Sequence, residues 1–578
     1  VPQAELRSQS LVRFLGVNLR TDGLNSADED VRRAINADLH SELGSAMLRL
    51  GRTAQFSSAL SDPIRRLAKF DAVRYQVAGT VVYRDETTII QGLSTDHKTT
   101  IASFRPLLDS TTWTFFADGN KMQKDDGTNV RTWGVDAPSS KPTVQEISSG
   151  NLTGDYSARY TYVRKTSDEK IAYESAPSPL SNTLTLSSQN FSVTVIQSAD
   201  AQINRIRLYR TVSGGSEYLF DHEVNNVSQT ETLQKPDTEL GAQVTIDAGK
   251  PPNAYGIQEH QGHIFFVGDA DNPHYLWFSS RFLPENVPSG NFIELGDPTD
   301  PLQMMGTFSG QLGVLSQKTK YIITGTTESG FAPREAVSKR GTVSAMAVVG
   351  TELGILFPAR DGLFLTRLFE PDQELSQSIQ PLFFGETVNE FSPINFDVAN
   401  TMSMALFKNR VYFAYPSGSN TTPDMLAVFS RDTKRWYFYE MNVRSLYVED
   451  SDKVLSAGLT DGISYELESG SSDGGSDIEY EVETVDRAGQ AVEDRKRRKL
   501  FFYIRPDIDT KSEDVTVAVL IDGTSQVSAT VNGTRTRPII KLPEKSSGFQ
   551  WRVKVTYTGT KRITFYGVDM YYLPLQVV

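Results

Sequence analysis

Short apolar runs alternate along this chain with Gly, Pro, Asn and Asp, and the interruptions come too often for helices. The pattern is densest between Ile257 and Leu365. It runs through His263-Ile264-Phe265-Phe266-Val267-Gly268, Tyr275-Leu276-Trp277-Phe278, Leu312-Gly313-Val314-Leu315, Tyr321-Ile322-Ile323-Thr324, Gly354-Ile355-Leu356-Phe357 and Leu363-Phe364-Leu365. β-Branched and aromatic residues fit a pleated surface, so each run predicts a strand and each neighbouring pair a hairpin. No 3.6-residue apolar period is sustained there. The rhythm begins near Val73, with Val81-Val82-Tyr83, Ile89-Ile90 and Trp113-Thr114-Phe115-Phe116. It continues in Val411-Tyr412-Phe413-Ala414-Tyr415, Leu426-Ala427-Val428-Phe429 and Trp436-Tyr437-Phe438-Tyr439.

An internal form repeats. Asp118-Gly119, Asp361-Gly362 and Asp461-Gly462 each stand between two apolar runs. Asp-Gly favours the positive φ angles of a two-residue type I′ turn, which predicts three like hairpins. Proline marks at Pro138–Pro142 and Pro251-Pro252 enclose a different stretch, 143–250. Tyr156, Tyr160 and Tyr162 predict a strand there, followed by Phe191–Val195 and Ile206–Arg210. About 100 residues with some seven short strands fit an immunoglobulin/fibronectin-like sandwich. Without this insert, 73–142 and 251–470 leave roughly 290 residues, or about six blades at about 45 residues each. The fold expected is therefore all-β: a β-propeller of about six blades, an inserted sandwich and a C-terminal β-domain.

The two ends read differently. Residues 1–72 are mixed, and Ser26-Ala27-Asp28-Glu29-Asp30 could cap a short helix through Val31, Ala34 and Ile35. Gly44, Gly51 and Pro63 argue for extended pieces, so the segment is expected to lie along a partner surface. Ser469 to Ser476 has the composition of a flexible joint. From 471 to 578 the alternation is cleaner, as in Val515–Leu520 and Trp551–Val555, and predicts a β-domain with solvated outer faces.

Composition narrows the function classes. The 578 residues carry a formal charge of −13 spread along the chain, and a surface of that sign lacks the basic footprint of a DNA binder. There is no cysteine, which excludes disulfides, zinc–thiolate sites and thiol catalysis. The start, Val1-Pro2-Gln3-Ala4-Glu5, has no basic-then-apolar signal pattern. The longest nearly apolar run, Val343 to Phe357, is broken by Glu352 and two glycines, so no membrane span is expected.

Candidate chemistry is sparse. Gly470-Ser471-Ser472-Asp473-Gly474 matches G-x-S-x-G, but a nucleophile elbow needs a strand-to-helix turn and no helix follows. His260 and His263, with His274 nearby, invite a metal reading. Odd spacing on one strand would send the two imidazoles to opposite faces, and Gln261-Gly262 looks like a turn. Asp269-Ala270-Asp271-Asn272-Pro273 opens like a calcium loop without its Gly and distant Glu. A glycosidase carboxylate pair is not picked out by spacing. No catalytic, cofactor-binding or metal-ligating residue is assigned. One dense charge run remains, Asp494-Arg495-Lys496-Arg497-Arg498-Lys499 before Leu500-Phe501-Phe502. It reads as a solvated strand entrance or as a contact to an acidic partner through Arg495, Lys496, Arg497, Arg498 and Lys499.

Several stretches together resemble the tail nozzle, or tail-hub, proteins of short-tailed bacteriophages, also called tail tubular or packaged-DNA-stabilising proteins. In the N-terminal part these are Ala34-x-Asn36, Gly44 and Leu48-Arg49-Leu50-Gly51. In the insert they are Gly154-Asp155-Tyr156, Tyr160-Thr161-Tyr162-Val163, Glu174-Ser175-x-Pro177-Ser178 and Ile203-x-Arg205-Ile206-Arg207-Leu208-Tyr209-Arg210-Thr211. The strongest run is Ile257 to Gly325, including Phe265–Gly268, Leu276–Ser279, Pro284-Glu285, Asn291–Ile293, Leu312–Leu315 and Tyr321–Gly325. Family members usually carry a tryptophan soon after the Pro-Glu, where this chain has Asn286-Val287-Pro288.

The resemblance implies a non-enzymatic virion component assembled in the host cytoplasm. It would be a homo-hexameric propeller tube below portal and adaptor, with tail fibres or tailspikes outside and a needle or tip below. Double-stranded DNA would pass through its lumen without specific binding. The alternatives are a monomeric propeller that binds a partner or glycan, and a propeller glycoside hydrolase.

Overall fold

Runs of four to seven residues with turn chemistry at both ends form antiparallel meanders here, because each strand's neighbour in sequence is its nearest pairing partner. The computed structural model describes residues 5–575 except 22, 97, 246, 450–452 and 490–491. The chain divides into two compact units, one of residues 98–339 and one of 1–97 with 340–578.

Residues 98–339 hold three four-stranded meanders. The first is Thr100–Phe104, Trp113–Ala117, Met122–Asp125 and Val130–Thr132. The second is Gly256–His260, His263–Val267, Tyr275–Phe278 and Phe292–Glu294, and the third is Leu302–Phe308, Gln311–Ser316, Lys320–Thr324 and Ala332–Glu335. The first strand of each lies against the first strand of the next, as in propeller blades around an axis. Between blades the packing is aromatic: the Trp133 ring stands 4.5 Å from Phe115 and 5.2 Å from Phe266.

The other unit holds four blades stacked in the same way. They begin at Ile64–Phe70, Val349–Thr351, Ser403–Phe407 and Val443–Glu449. The blade of Val443–Glu449, Val454–Leu459 and Ser464–Leu467 takes its outer strand, Arg52–Ala54, from the N-terminal segment. The protein is thus an all-β chain of β-propeller class, and the described residues form seven blades where length suggested about six. Part of the difference is at the start, because the Ile64–Phe70 run pairs with Val73–Ala78 and opens a blade ahead of residue 73.

The insert is the expected sandwich. Thr143–Tyr156, Leu184–Val195 and Gln229–Leu233 form one sheet; Ile171–Glu174, Ala158–Lys165, Arg205–Arg210 and Leu219–Asn225 form the other. Tyr156, Tyr160, Phe191, Ile206, Leu208 and Leu233 share the core between them. The Ser-x-Pro-Ser stretch seals a sheet edge where proline cannot donate. Ser175 Oγ and Ser178 Oγ accept from the backbone N–H of Tyr162 and Tyr160 at 3.0 and 3.1 Å.

The C-terminal part is the expected β-domain, whereas the N-terminal segment departs from expectation. Asp30–Ile35 is a strand, not a capped helix. The Asp30 carboxylate accepts from Asn18 at 2.9 Å and Arg435 at 3.0 Å, and Val31, Ala34 and Ile35 are buried in sheet packing. The N-terminal segment is woven into the chain itself. Arg7–Leu11 pairs with the last strand, Thr564–Pro574, and Asp30–Ile35 lies between Arg435–Glu440 of a blade and Ile478–Thr484. One ten-stranded sheet therefore runs from the blade of Ser403–Phe407 into the C-terminal β-domain.

The Ser469–Ser476 stretch is no flexible joint. Arg49 grips Asp473 with two hydrogen bonds of 2.8 and 2.7 Å, and Arg52 N donates to Ser472 O at 3.0 Å. A Cβ on Gly51 would stand 2.1 Å from Ser472 O, so the two segments touch backbone to backbone.

The three Asp-Gly pairs use three different turns. Ala117 pairs with Met122 across a longer loop, in which the Asp118 carboxylate accepts from Asn120 N at 2.9 Å. Ala359 pairs with Gly362 across Arg360-Asp361, and Gly462 (φ 77°) follows Asp461 in a turn closed by Leu459 N to Ile463 O at 3.2 Å. Paired positive φ angles occur instead at Gln261-Gly262, Ser309-Gly310 and Asp522-Gly523, between directly paired strand ends.

Candidate functional site

The basic run divides by burial. Val492–Lys496 is a 3₁₀ turn leading into the strand Lys499–Asp509. Asp494 is buried, accepting from Arg7 Nη1 and Tyr572 Oη at 2.8 Å each. Lys499 is buried too: its Nζ donates to Arg497 O at 2.8 Å and Phe549 O at 2.7 Å, and burial pushes the ammonium down to about 8. Lys499 therefore holds the fold and offers nothing to a partner. Arg497 is half-buried, whereas Arg495, Lys496 and Arg498 are exposed and have no ion-pair partner among the described residues. Beside them Phe549 is 50% exposed. The surface available to a partner is three cations and one aromatic ring.

His260 and His263 sit across the Gln261-Gly262 turn as directly paired residues, so both face one side of the hairpin rather than opposite faces. His263 Nδ1 lies 2.7 Å from Ser279 O, its ring packs edge-on to Phe331, and burial lowers the His260 pKa. These are core groups, and among the described residues no cluster of three or more His, Asp or Glu could hold a metal ion. Asp269 caps its own hairpin, accepting from Asn272 Nδ2 at 3.1 Å and Trp277 Nε1 at 3.2 Å. Ser472, the serine of G-x-S-x-G, accepts through its Oγ from Gly475 N at 3.2 Å. Among the described residues no helix is long and apolar enough to cross a membrane.

A pocket that motif reading missed opens at the starting end of three neighbouring first strands, near Thr401, Arg444 and Arg65. Its volume is about 500 Å³. Pairing passes from Val443–Leu459 to Ser445–Gly458 and from Ile64–Ala78 to Arg66–Val77, leaving Arg444 and Arg65 as the extra residues of two β-bulges. A bulge re-aims a side chain out of the strand's alternation. Sequence offers one faint signal, an arginine directly after the apolar residue that opens each strand.

No protein-family model matches the chain, and no curated protein matches it. Among solved structures it resembles the WD40 domain of Neurospora crassa Pan2, at 7% identity, covering 73% of this chain and 94% of that one, with a TM-score of 0.28. A likeness this slight bears on neither partner nor activity.

Proposed function

We propose that this chain is a structural virion protein, the hexameric nozzle of a short-tailed phage tail, serving as conduit and gate for the genome. It would dock to portal and adaptor above, fibres at the side and a tip below. The observation that carries this reading is where the resemblance-bearing residues act. Three of them, Asn36, Arg49 and Glu285, hold modules together. Asn36 accepts from Arg49 Nε at 2.8 Å and donates to Glu479 O at 2.7 Å. Arg49 in turn binds Asp473, joining the N-terminal segment to the C-terminal part. Glu285 of the Pro-Glu pair joins the insert to a blade through Arg164 and Lys124. A particle that must bear load while DNA passes depends on such joints.

An acidic chain suits passage, since each phosphate contact would add a salt-dependent grip on the duplex. Arg495, Lys496 and Arg498 are the side offered to a neighbouring subunit or the adaptor. Mass photometry and negative-stain imaging of the purified chain, alone and with the cognate portal and adaptor, test the reading. Six-fold rings support it, and a solitary chain under both conditions defeats it. The pocket at Arg444 favours a second reading, a propeller that binds a ligand as a monomer.

A further inference from the structure

Arg444 is an unusual charge to leave alone. It is 5% exposed, and its one hydrogen bond among the described residues is a long 3.5 Å contact from Nη1 to Thr401 O. Its Nε is buried with no partner, and no carboxylate pairs with it among the described residues. Burial, with the like charge of Arg65 beside it, pushes the guanidinium down to about 10. A buried cation without a counter-ion is destabilising unless something neutralises it. The pocket also has a second, opposite character at its mouth. Asp62, Asp96 and Asp397 are exposed around the rim. Ionised carboxylates only accept hydrogen bonds, so they favour hydroxyl or amino donors and repel any second negative charge.

We propose that this pocket binds one compact ligand carrying a single carboxylate or phosphate on a hydroxyl-rich body, a sugar acid or a sugar phosphate. The anionic group docks on Arg444 at the floor, where a planar guanidinium can hold two oxygens at once, with Arg65, whose Nη2 donates to Ser94 O at 2.9 Å, adding positive charge beside it. Hydroxyl groups face the Asp397 side of the rim. The acidic mouth turns away polyanions, which keeps this site distinct from any path of DNA. A volume of about 500 Å³ lies within the usual range for small-molecule sites.

Isothermal titration of the full chain with glucuronate, glucose 6-phosphate, inorganic phosphate and glucose tests this. One equivalent of glucuronate or glucose 6-phosphate should bind at least tenfold more tightly than inorganic phosphate and than glucose. Whichever sugar binds better identifies carboxylate or phosphate as the recognised group. Arg444→Gln removes an unpaired charge, so it should fold, and it should weaken the charged sugars at least tenfold. Asp397→Asn, at an exposed position, should weaken the sugars and leave inorganic phosphate unchanged. Glucose binding as tightly as its charged relatives, or Arg444→Gln binding like the parent, overturns the proposal. Because every titration uses the chain as purified, its failure leaves the ring-imaging result untouched.

Discussion

Lys124 and Glu285 meet inside the 98–339 unit, ammonium nitrogen to carboxylate oxygen at 2.5 Å, with side chains 0% and 4% exposed. The same carboxylate takes Arg164 Nη2 of the inserted sandwich at 2.6 Å, and Arg164 Nη1 reaches Asp109 at 2.7 Å. Trp113 lies beneath both cations, 4.5 Å from Lys124 Nζ and 5.4 Å from the Arg164 guanidinium. Glu285 is the hub, because it pairs directly with one cation from the blade and one from the insert. Glu285→Gln should therefore cost about 3–5 kcal/mol, the usual penalty for stranding buried charge. Lys124→Met should cost less, since Glu285 keeps Arg164. Urea denaturation of the two variants checks the order.

The same burial gives a pH signature. Lys124 and Lys499 are each pushed down to about 8, mainly by burial, from an ordinary lysine value of 10.5. Between those values the unfolded chain holds protons that the folded chain has released, so stability rises with pH. Above about pH 10 the buried Tyr412, Tyr437 and Tyr439, all raised by burial, act in the opposite sense. Folded, they keep protons that the unfolded chain loses. Stability should climb from about pH 8 to about pH 10 and then fall. The climb should shrink in Lys124→Met, read as the urea midpoint at each pH.

Fold class was legible because period-2 runs and turn residues are local signals, and hairpins join local neighbours. What was not legible is long-range. Nothing near Asp30–Ile35 says that it will pair with Ile478–Thr484, and its acidic start mimics a helix cap. The Ser/Gly composition of 469–476 reads as a joint because Arg49, which fixes Asp473, is more than four hundred residues away in sequence. The charge run was visible, but the division between buried Lys499 and exposed Arg498 follows from which strand neighbours close over each side chain. The Arg444 and Arg65 bulges depend on one unpaired residue apiece, which no alternation pattern reveals.

The Arg49–Asp473 contact makes its own prediction. Arg49 is 2% exposed, so Asp473→Ala leaves a buried guanidinium without its carboxylate. A loss of about 3 kcal/mol is expected, together with new protease cleavage inside 469–476. Gly51→Ala should act on the same contact by forcing Ser472 O away from a Cβ it would meet at 2.1 Å. Limited proteolysis with mass-spectrometric site mapping reads both, and the parent chain should stay uncut there.

The exposed cations give the sharpest test of the nozzle reading. Arg495, Lys496 and Arg498 make no ion pairs among the described residues, so reversing them removes nothing from the folded chain. The triple change Arg495→Glu, Lys496→Glu and Arg498→Glu should leave the urea midpoint within about 0.5 kcal/mol of the parent. It should nevertheless abolish assembly, because three new negative charges would face an acidic neighbour. Assembly of the parent should weaken with salt, since exposed ion pairs are screened beyond about 8 Å at physiological ionic strength. Lys499→Met should show the converse: changed stability and assembly like the parent, because that ammonium is bonded to Arg497 O and Phe549 O inside the fold. Sedimentation velocity at low and high salt separates the two. Rings that survive the triple reversal would move the subunit contact to another face of the chain.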